Sequence, residues 1–419
     1  MSYTALSLSQ TPPLTVPLRY LLTAPLFAAA AGVVLAVAPE ALVNRWTPAT
    51  LAITHLLTLG FLAMTMFGAL QQLLPVLAGS LIPRAPLFSV MVHLGLASGV
   101  AALAAGMGTG HVWLLQLGTL LLLVTVALFA AVMGGAMLLA RSAHATVWAM
   151  GGALVALLVT VLLGSGLLHH YGWQVPLAHP LTELHLMWGL AGWVGALLIG
   201  VAWQVVPMFQ LTPDYPPRLR RYLVPLLLSG LALWSVARFA GVAADVPFAL
   251  VLLALLVFAL ATLWVQQHRR RRLPDVTLAF WRLAMVMLLG ALLAMALPGD
   301  HALLSGVLFI IGFAMSAVNG MLYKIVPFLI WLHLNNQLQQ RGQWQGRVPN
   351  MKQIIAEVAL RRHFRLHLLA LGLLLLAVIW PMTLARAAGT ALAISSLMLW
   401  WNLAQGWRVY RAVLRGAAG

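Results

Sequence analysis

The residues best able to do chemistry in this sequence are its 13 histidines. A neutral imidazole offers one lone pair to a metal, and it is a common ligand of haem iron and of copper. The chain has no cysteine, so disulfides, thiolate sites and redox thiols are excluded. Any metal would need His, Met or carboxylate ligands. His55, His111, His169, His170, His179, His185 and His301 gather toward one end of the apolar segments described below. His93, His144, His268, His333, His363 and His367 fall toward the other end or inside a segment, several beside Arg, and read as structural. His55 is the most informative: it precedes Pro75 by 20 residues, about 30 Å of helix. An imidazole two turns inside an apolar segment needs partners for its ring nitrogens, and iron, copper or a buried hydroxyl would each serve. His185 stands 22 residues before Pro207, near the same level. His55, His185, His169 and His170 are therefore candidate metal ligands, set against the plainer reading of hydrogen-bonded residues near a membrane interface. Arg45, Arg238 and Arg386 lie toward the same end. Guanidinium groups there could pair with an anionic ligand such as a haem propionate, or simply cap helix ends.

These candidates sit in a segment written three times. The first copy has Gly60-Phe61 followed by Gly68, Gln72 and Pro75; the second has Gly192-Trp193, then Gly200, Gln204 and Pro207; the third has Gly312-Phe313, then Gly320, Lys324 and Pro327. The internal offsets are identical, a pattern that chance does not repeat at five positions. Paired glycines let neighbouring backbones approach closely. A proline near a helix end frees a carbonyl where water or a loop can satisfy it. Gln72, Gln204 and Lys324 share one repeat position about a turn before the proline. They predict a polar layer, serving a proton or ion path or, for Lys324, snorkelling to the interface. The third copy places Val307 opposite His55.

The elements that carry these residues are membrane spans. With 63% hydrophobic and 7% charged residues and a mean hydropathy of +0.97, water is not the main solvent of this chain. Charge-poor stretches of spanning length occur at about 17–38, 49–76, 86–107, 112–139, 145–168, 184–209, 222–242, 246–266, 276–296, 302–331, 365–383 and 387–405. If the N-terminus is cytoplasmic, all of the 24 Lys and Arg except Arg45, Arg238 and Arg386 fall inside, which is the positive-inside pattern. The net charge of +17 thus reads as topology, not as a nucleic-acid surface. Ala36-Val37-Ala38 resembles a signal-peptidase site, but the apolar run is long and Pro39 follows, so the segment reads as a retained span. The expectation is an all-α polytopic membrane protein, a single membrane domain over 1–419, with repeats at about 17–139, 145–266 and 276–405. A cytoplasmic loop at 332–364 would carry a basic amphipathic helix from Met351 to Arg362. Both termini would be cytoplasmic and the location a bacterial-type inner membrane.

Twelve spans, three four-helix arcs and a histidine in the outer half of span two together resemble the catalytic subunit I of the haem-copper oxidase superfamily and its smaller NnrS-like relatives. The likeness covers nearly the whole chain in architecture and only part of the motifs. It implies that His55 matches the span-two haem ligand, that His185 approximates the span-six copper ligand, and that Arg386 matches the propionate-pairing arginines between spans eleven and twelve. The span-ten pair of histidines is missing from Val307 to Val318, and the adjacent pair His169-His170 precedes span six instead of opening span seven. The resemblance therefore implies haem and/or copper binding, without a complete terminal oxidase or nitric oxide reductase centre.

Three functions are open at this point. One is a haem- or copper-binding protein in nitric oxide tolerance, metal handling or respiratory-enzyme assembly. Another is a cofactor-free transporter or channel using the polar layer. The third is an accessory scaffold meeting respiratory-chain or other membrane subunits through its cytoplasmic loop, with the lipid bilayer as the remaining partner. No phosphate loop, nucleophile motif or carboxylate pair is present, so hydrolase and kinase chemistry have no support.

Overall fold

A computed structural model describes residues 10–140, 144–173, 181–270, 273, 275–340 and 348–416, with backbone alone for 170–173 and 416. His179, the side chain of His170, Arg271 and Arg272 lie outside the described residues. Among the described residues there are helices and no strand. Twelve helices are long and apolar enough to cross a membrane: α1 Thr15–Val37, α2 Pro48–Ala78, α3 Ala85–Thr109, α4 Val112–Leu138, α5 Ala145–His169, α6 Leu181–Gln210, α7 Pro217–Ala240, α8 Asp245–Gln267, α9 Val276–Ala296, α10 Ala302–Gln340, α11 Glu357–Ile379 and α12 Pro381–Arg415.

Several boundaries differ from the sequence reading, each for a local reason. Helix α10 continues to Gln340 instead of ending near 331, because nothing in His333-Leu334-Asn335-Asn336 breaks a helix once it leaves the apolar layer. The expected loop at 332–364 is shortened from both sides. The helix expected from Met351 to Arg362 is interrupted. Asn350 caps Met351–Ile354 through a reciprocal capping box with Gln353, but Ile355 and Ala356 are extended, and Glu357 opens α11. Ile354 and Ile355 are buried and lie close to Gly406 of α12, so the apolar face meets protein. Between α11 and α12 the break falls at Trp380, since Pro381 restricts the residue before it and is itself suited to the first turn of a helix. Arg386 consequently belongs to α12, not to a connecting loop.

The three helices that carry the repeat form the centre. In their most apolar windows 67% of α2, 83% of α6 and 78% of α10 is buried, against 33–50% in the other spans. Each packs its repeat glycines against the helix before it. A Cβ on Gly60 would meet Phe27 of α1 at 2.6 Å, one on Gly192 would meet Ala156 of α5 at 3.0 Å, and one on Gly312 would meet Met287 of α9 at 2.7 Å. Gly68, Gly200 and Gly320 repeat this against Tyr20, Ala149 and Phe280. Each central helix also contains one π-helical stretch, at Leu56–Ala63, Trp188–Gly195 and Val307–Met315, ending at the same offset before Pro75, Pro207 and Pro327. Around this centre α12 returns to pack on α1, where Gly32 and Gly389 bring the two backbones together.

Candidate functional site

Helix α2 starts with Thr47 as its cap, its hydroxyl accepting from the Thr50 amide, and with Pro48 in the first turn. His55 lies two turns further on, directly before the π-helical stretch. A π turn inserts one residue into the helix and so re-aims the side chains on its N-terminal side relative to those beyond it. His185 occupies the matching region of α6, one turn before Trp188 opens the second π stretch.

The structure brings these two histidines face to face. Their ring centres are 6.1 Å apart and their planes differ by 22°. His55 Nδ1 lies 2.8 Å from the Leu51 carbonyl, and His185 Nδ1 lies 2.9 Å from the Thr160 carbonyl on α5. A carbonyl oxygen only accepts, so each Nδ1 carries the proton and each Nε2 keeps its lone pair. Neither Nε2 has a hydrogen-bond partner among the described residues. Two features of α5 hold the second ring. The Thr160 hydroxyl is turned back to Ala156, leaving the Thr160 carbonyl to the imidazole. Gly164 leaves the ring its space, since a Cβ there would stand 2.9 Å from His185 Cε1. A carbonyl behind Nδ1 is the usual device for fixing the tautomer of a ligating histidine.

Of the other expected site residues, the side chain of His170 lies outside the described residues, and the rest stand elsewhere. His169 is exposed at the end of α5. Arg386 is exposed on α12, and no recorded contact of its side chain is with either histidine. Arg238 pairs with Glu183 at 2.6 Å, and Arg45 stacks over Trp46. Among the described residues no group of three or more His, Asp or Glu could hold a metal ion.

The expected polar layer separates in the same way. Gln72 and Gln204 border a cavity of about 110 Å³ enclosed by α1, α2, α6, α9 and α10. Lys324 does not border it. Its ammonium lies 2.9 Å from Asp275, which caps α9 by accepting from the Thr277 amide and hydroxyl. Burial alone would raise the Asp275 carboxyl, but the Lys324 charge and the donors from Lys324 and Thr277 outweigh it and hold the group below its ordinary value. The lysine therefore reaches toward a helix end, the snorkelling arrangement. The rest of the lining is mostly apolar, and Gln72 Oε1, Thr65 Oγ1 and Trp281 Nε1 on it have no hydrogen-bond partner. It does not extend to His55 or His185.

Thr160, Gly164 and the π stretches escaped the sequence reading. The repeat does mark the π stretches, because each begins just before a repeat glycine-aromatic pair. The chain matches no family model, and no curated protein matches it.

Proposed function

We propose that this chain is a metal-binding membrane protein of the haem-copper oxidase and NnrS-like kind, in which His55 and His185 together hold a copper ion or a haem iron. The observation that carries this reading is the pair itself: two neutral imidazoles 6.1 Å apart, both anchored through Nδ1, both with Nε2 open. Leu51 and Thr160 orient the rings and fix their tautomers, and Gly164 keeps the α5 side clear. A copper ion would be held by the two Nε2 atoms, whereas haem also needs a flat slot beside them. The bound metal would supply reversible electron uptake. The reading includes three related four-helix arcs, cytoplasmic termini, a bacterial inner membrane, and work in nitric oxide tolerance, metal handling or respiratory-enzyme assembly. The test is the oxidised and reduced spectrum of the detergent-purified protein, with iron and copper analysis. About one iron with a Soret band, or one copper without it, is expected at this pair, and His55→Leu and His185→Leu should each bind one equivalent fewer than wild type. Wild-type protein that stays metal-free after expression with haem and copper supplied, or both variants retaining full metal, refutes it.

The cavity supports a second reading, a solute path, through the unpartnered Gln72 Oε1 that faces it. Uptake by proteoliposomes that Gln72→Leu abolishes would favour it; metal-dependent absorbance without any uptake would remove it.

A further inference from the structure

The described residues hold a second pair of histidines, on α11, that the first site does not use. His363 and His367 are four residues apart on one helix face, both with no exposed surface, and their ring centres are 6.2 Å apart. This is the spacing with which a single helix presents two imidazoles to one metal ion. Both rings pack on Phe280 of α9, each with its centre 5.5 Å from that ring. Helix α10 runs beside them: Ser316 meets His367, Tyr323 meets His363, and Asn319, fully buried, lies on α10 about one turn from each of Ser316 and Tyr323.

Several polar atoms here are left without partners. His367 Nδ1, both side-chain atoms of Asn319, and Ser395 Oγ on α12 make no hydrogen bond, and the His363 ring lies against the Ser395 backbone. Orphaned polar atoms are rare in a folded interior, and a group of them marks a place for a partner. The bond made by His367 is informative. His367 Nε2 lies 2.7 Å from Ser316 Oγ, while that hydroxyl donates to the Ile311 carbonyl in the π stretch of α10. With its proton on Ile311, Ser316 accepts from Nε2–H, and Nδ1 of His367 is then left with a bare lone pair. A ring fixed through one nitrogen and open at the other is a prepared ligand.

The charge of the missing partner follows from the donor set. No Asp or Glu joins the two histidines, and Asn319, Ser316, Ser395, Tyr323 and Asn402 around them are neutral. The desolvation cost of an ion rises with the square of its charge, so a divalent ion would stay uncompensated in this apolar interior. Imidazole suits copper, and only the cuprous form is monovalent. We infer that His363 and His367 form a Cu(I) site between α10 and α11, with the Asn319 amide beside it. The site is independent of His55 and His185 and of the function assigned to them.

The experiment is an anaerobic Cu(I) titration of the full-length protein in detergent, in competition with bathocuproine disulfonate. His363→Leu and His367→Leu should each bind one Cu(I) equivalent fewer than wild type, and the double variant His55→Leu/His185→Leu should keep that equivalent. His363→Met, which replaces one ligand by a thioether that Cu(I) accepts, should retain binding and place sulfur in the copper shell by X-ray absorption. Equal stoichiometry in wild type and both leucine variants overturns the inference and leaves buried water as the partner. If the leucine variants do not fold, a copper shell without sulfur in His363→Met overturns it equally.

Discussion

Gly164→Ala tests the first site without touching either ligand. The added Cβ would stand 2.9 Å from Cε1 and 3.2 Å from Nδ1 of His185, where ordinary contact begins at 3.4 Å. The ring must retreat from α5 by about 0.5 Å, which stretches its bond to Thr160 to about 3.4 Å, beyond the usual N–H···O range. Leaving that N–H unsatisfied costs about 1–3 kcal/mol, and loss of a partner behind a ligating histidine typically weakens metal binding about 10–100-fold. Gly166→Ala is the matched control, since a Cβ there meets only Leu181 at 3.9 Å. The assay is metal affinity by competition in detergent, with the absorbance spectrum recorded on the same samples. Gly164→Ala should bind about 10–100-fold more weakly than Gly166→Ala. Equal affinities and identical spectra would refute the claim that Gly164 and Thr160 hold His185 for a metal.

Other outcomes follow from the same geometry. At the α1–α12 crossing, a Cβ on Gly32 or Gly389 would stand 2.5 Å from a backbone nitrogen of the facing helix, with no flexible side chain to yield. Gly32→Val and Gly389→Val should each destabilise by about 1–3 kcal/mol or more, read as a lower thermal midpoint in detergent. The Asp275 carboxyl has its value lowered from 3.8 in the folded protein. Its contribution to stability is therefore fully present above that ordinary value and lost as pH falls through the lowered one. Unfolding of wild type and Asp275→Asn should differ at neutral pH and converge in acid; a difference that persists unchanged in strong acid would exclude the ion pair as its source. Gln72→Leu removes an acceptor that has no partner, so in the absence of a cavity ligand it should leave the thermal midpoint unchanged or raise it. A clear drop would indicate that the amide has an occupant to hold.

Much of the architecture was legible because hydropathy and charge both report the bilayer. The span expected at 276–296 coincides with α9, bounded by the Asp275 cap and by the extended Leu297 before Pro298. Legibility failed where polar residues continue a helix past the apolar layer, as in α10, and where proline, not charge, sets a break, as at Trp380. The meeting of His55 and His185 was only half visible. Their offsets to the repeat prolines differ by two residues, so the pattern put them at one level without putting them in contact, and the contact rests on helix packing and π turns. Lys324 shared a repeat position with two glutamines, but its environment is set by Asp275, a residue of another helix's cap. The four-residue spacing of His363 and His367 is legible in the sequence, while their shared packing on Phe280 is not, because that ring comes from another helix.

The seam between α1 and α12 bears on how the molecule is made. A helix made before the other eleven spans and completed by the last of them must hold its place in the membrane while the spans between are inserted. Until then the small-residue face around Gly32 is turned to lipid or to a temporary neighbour, since its proper partner does not yet exist. The last closure in biogenesis is thus a backbone-to-backbone fit that tolerates no added side-chain atom. Errors there would appear as chains that insert fully and still fail to close.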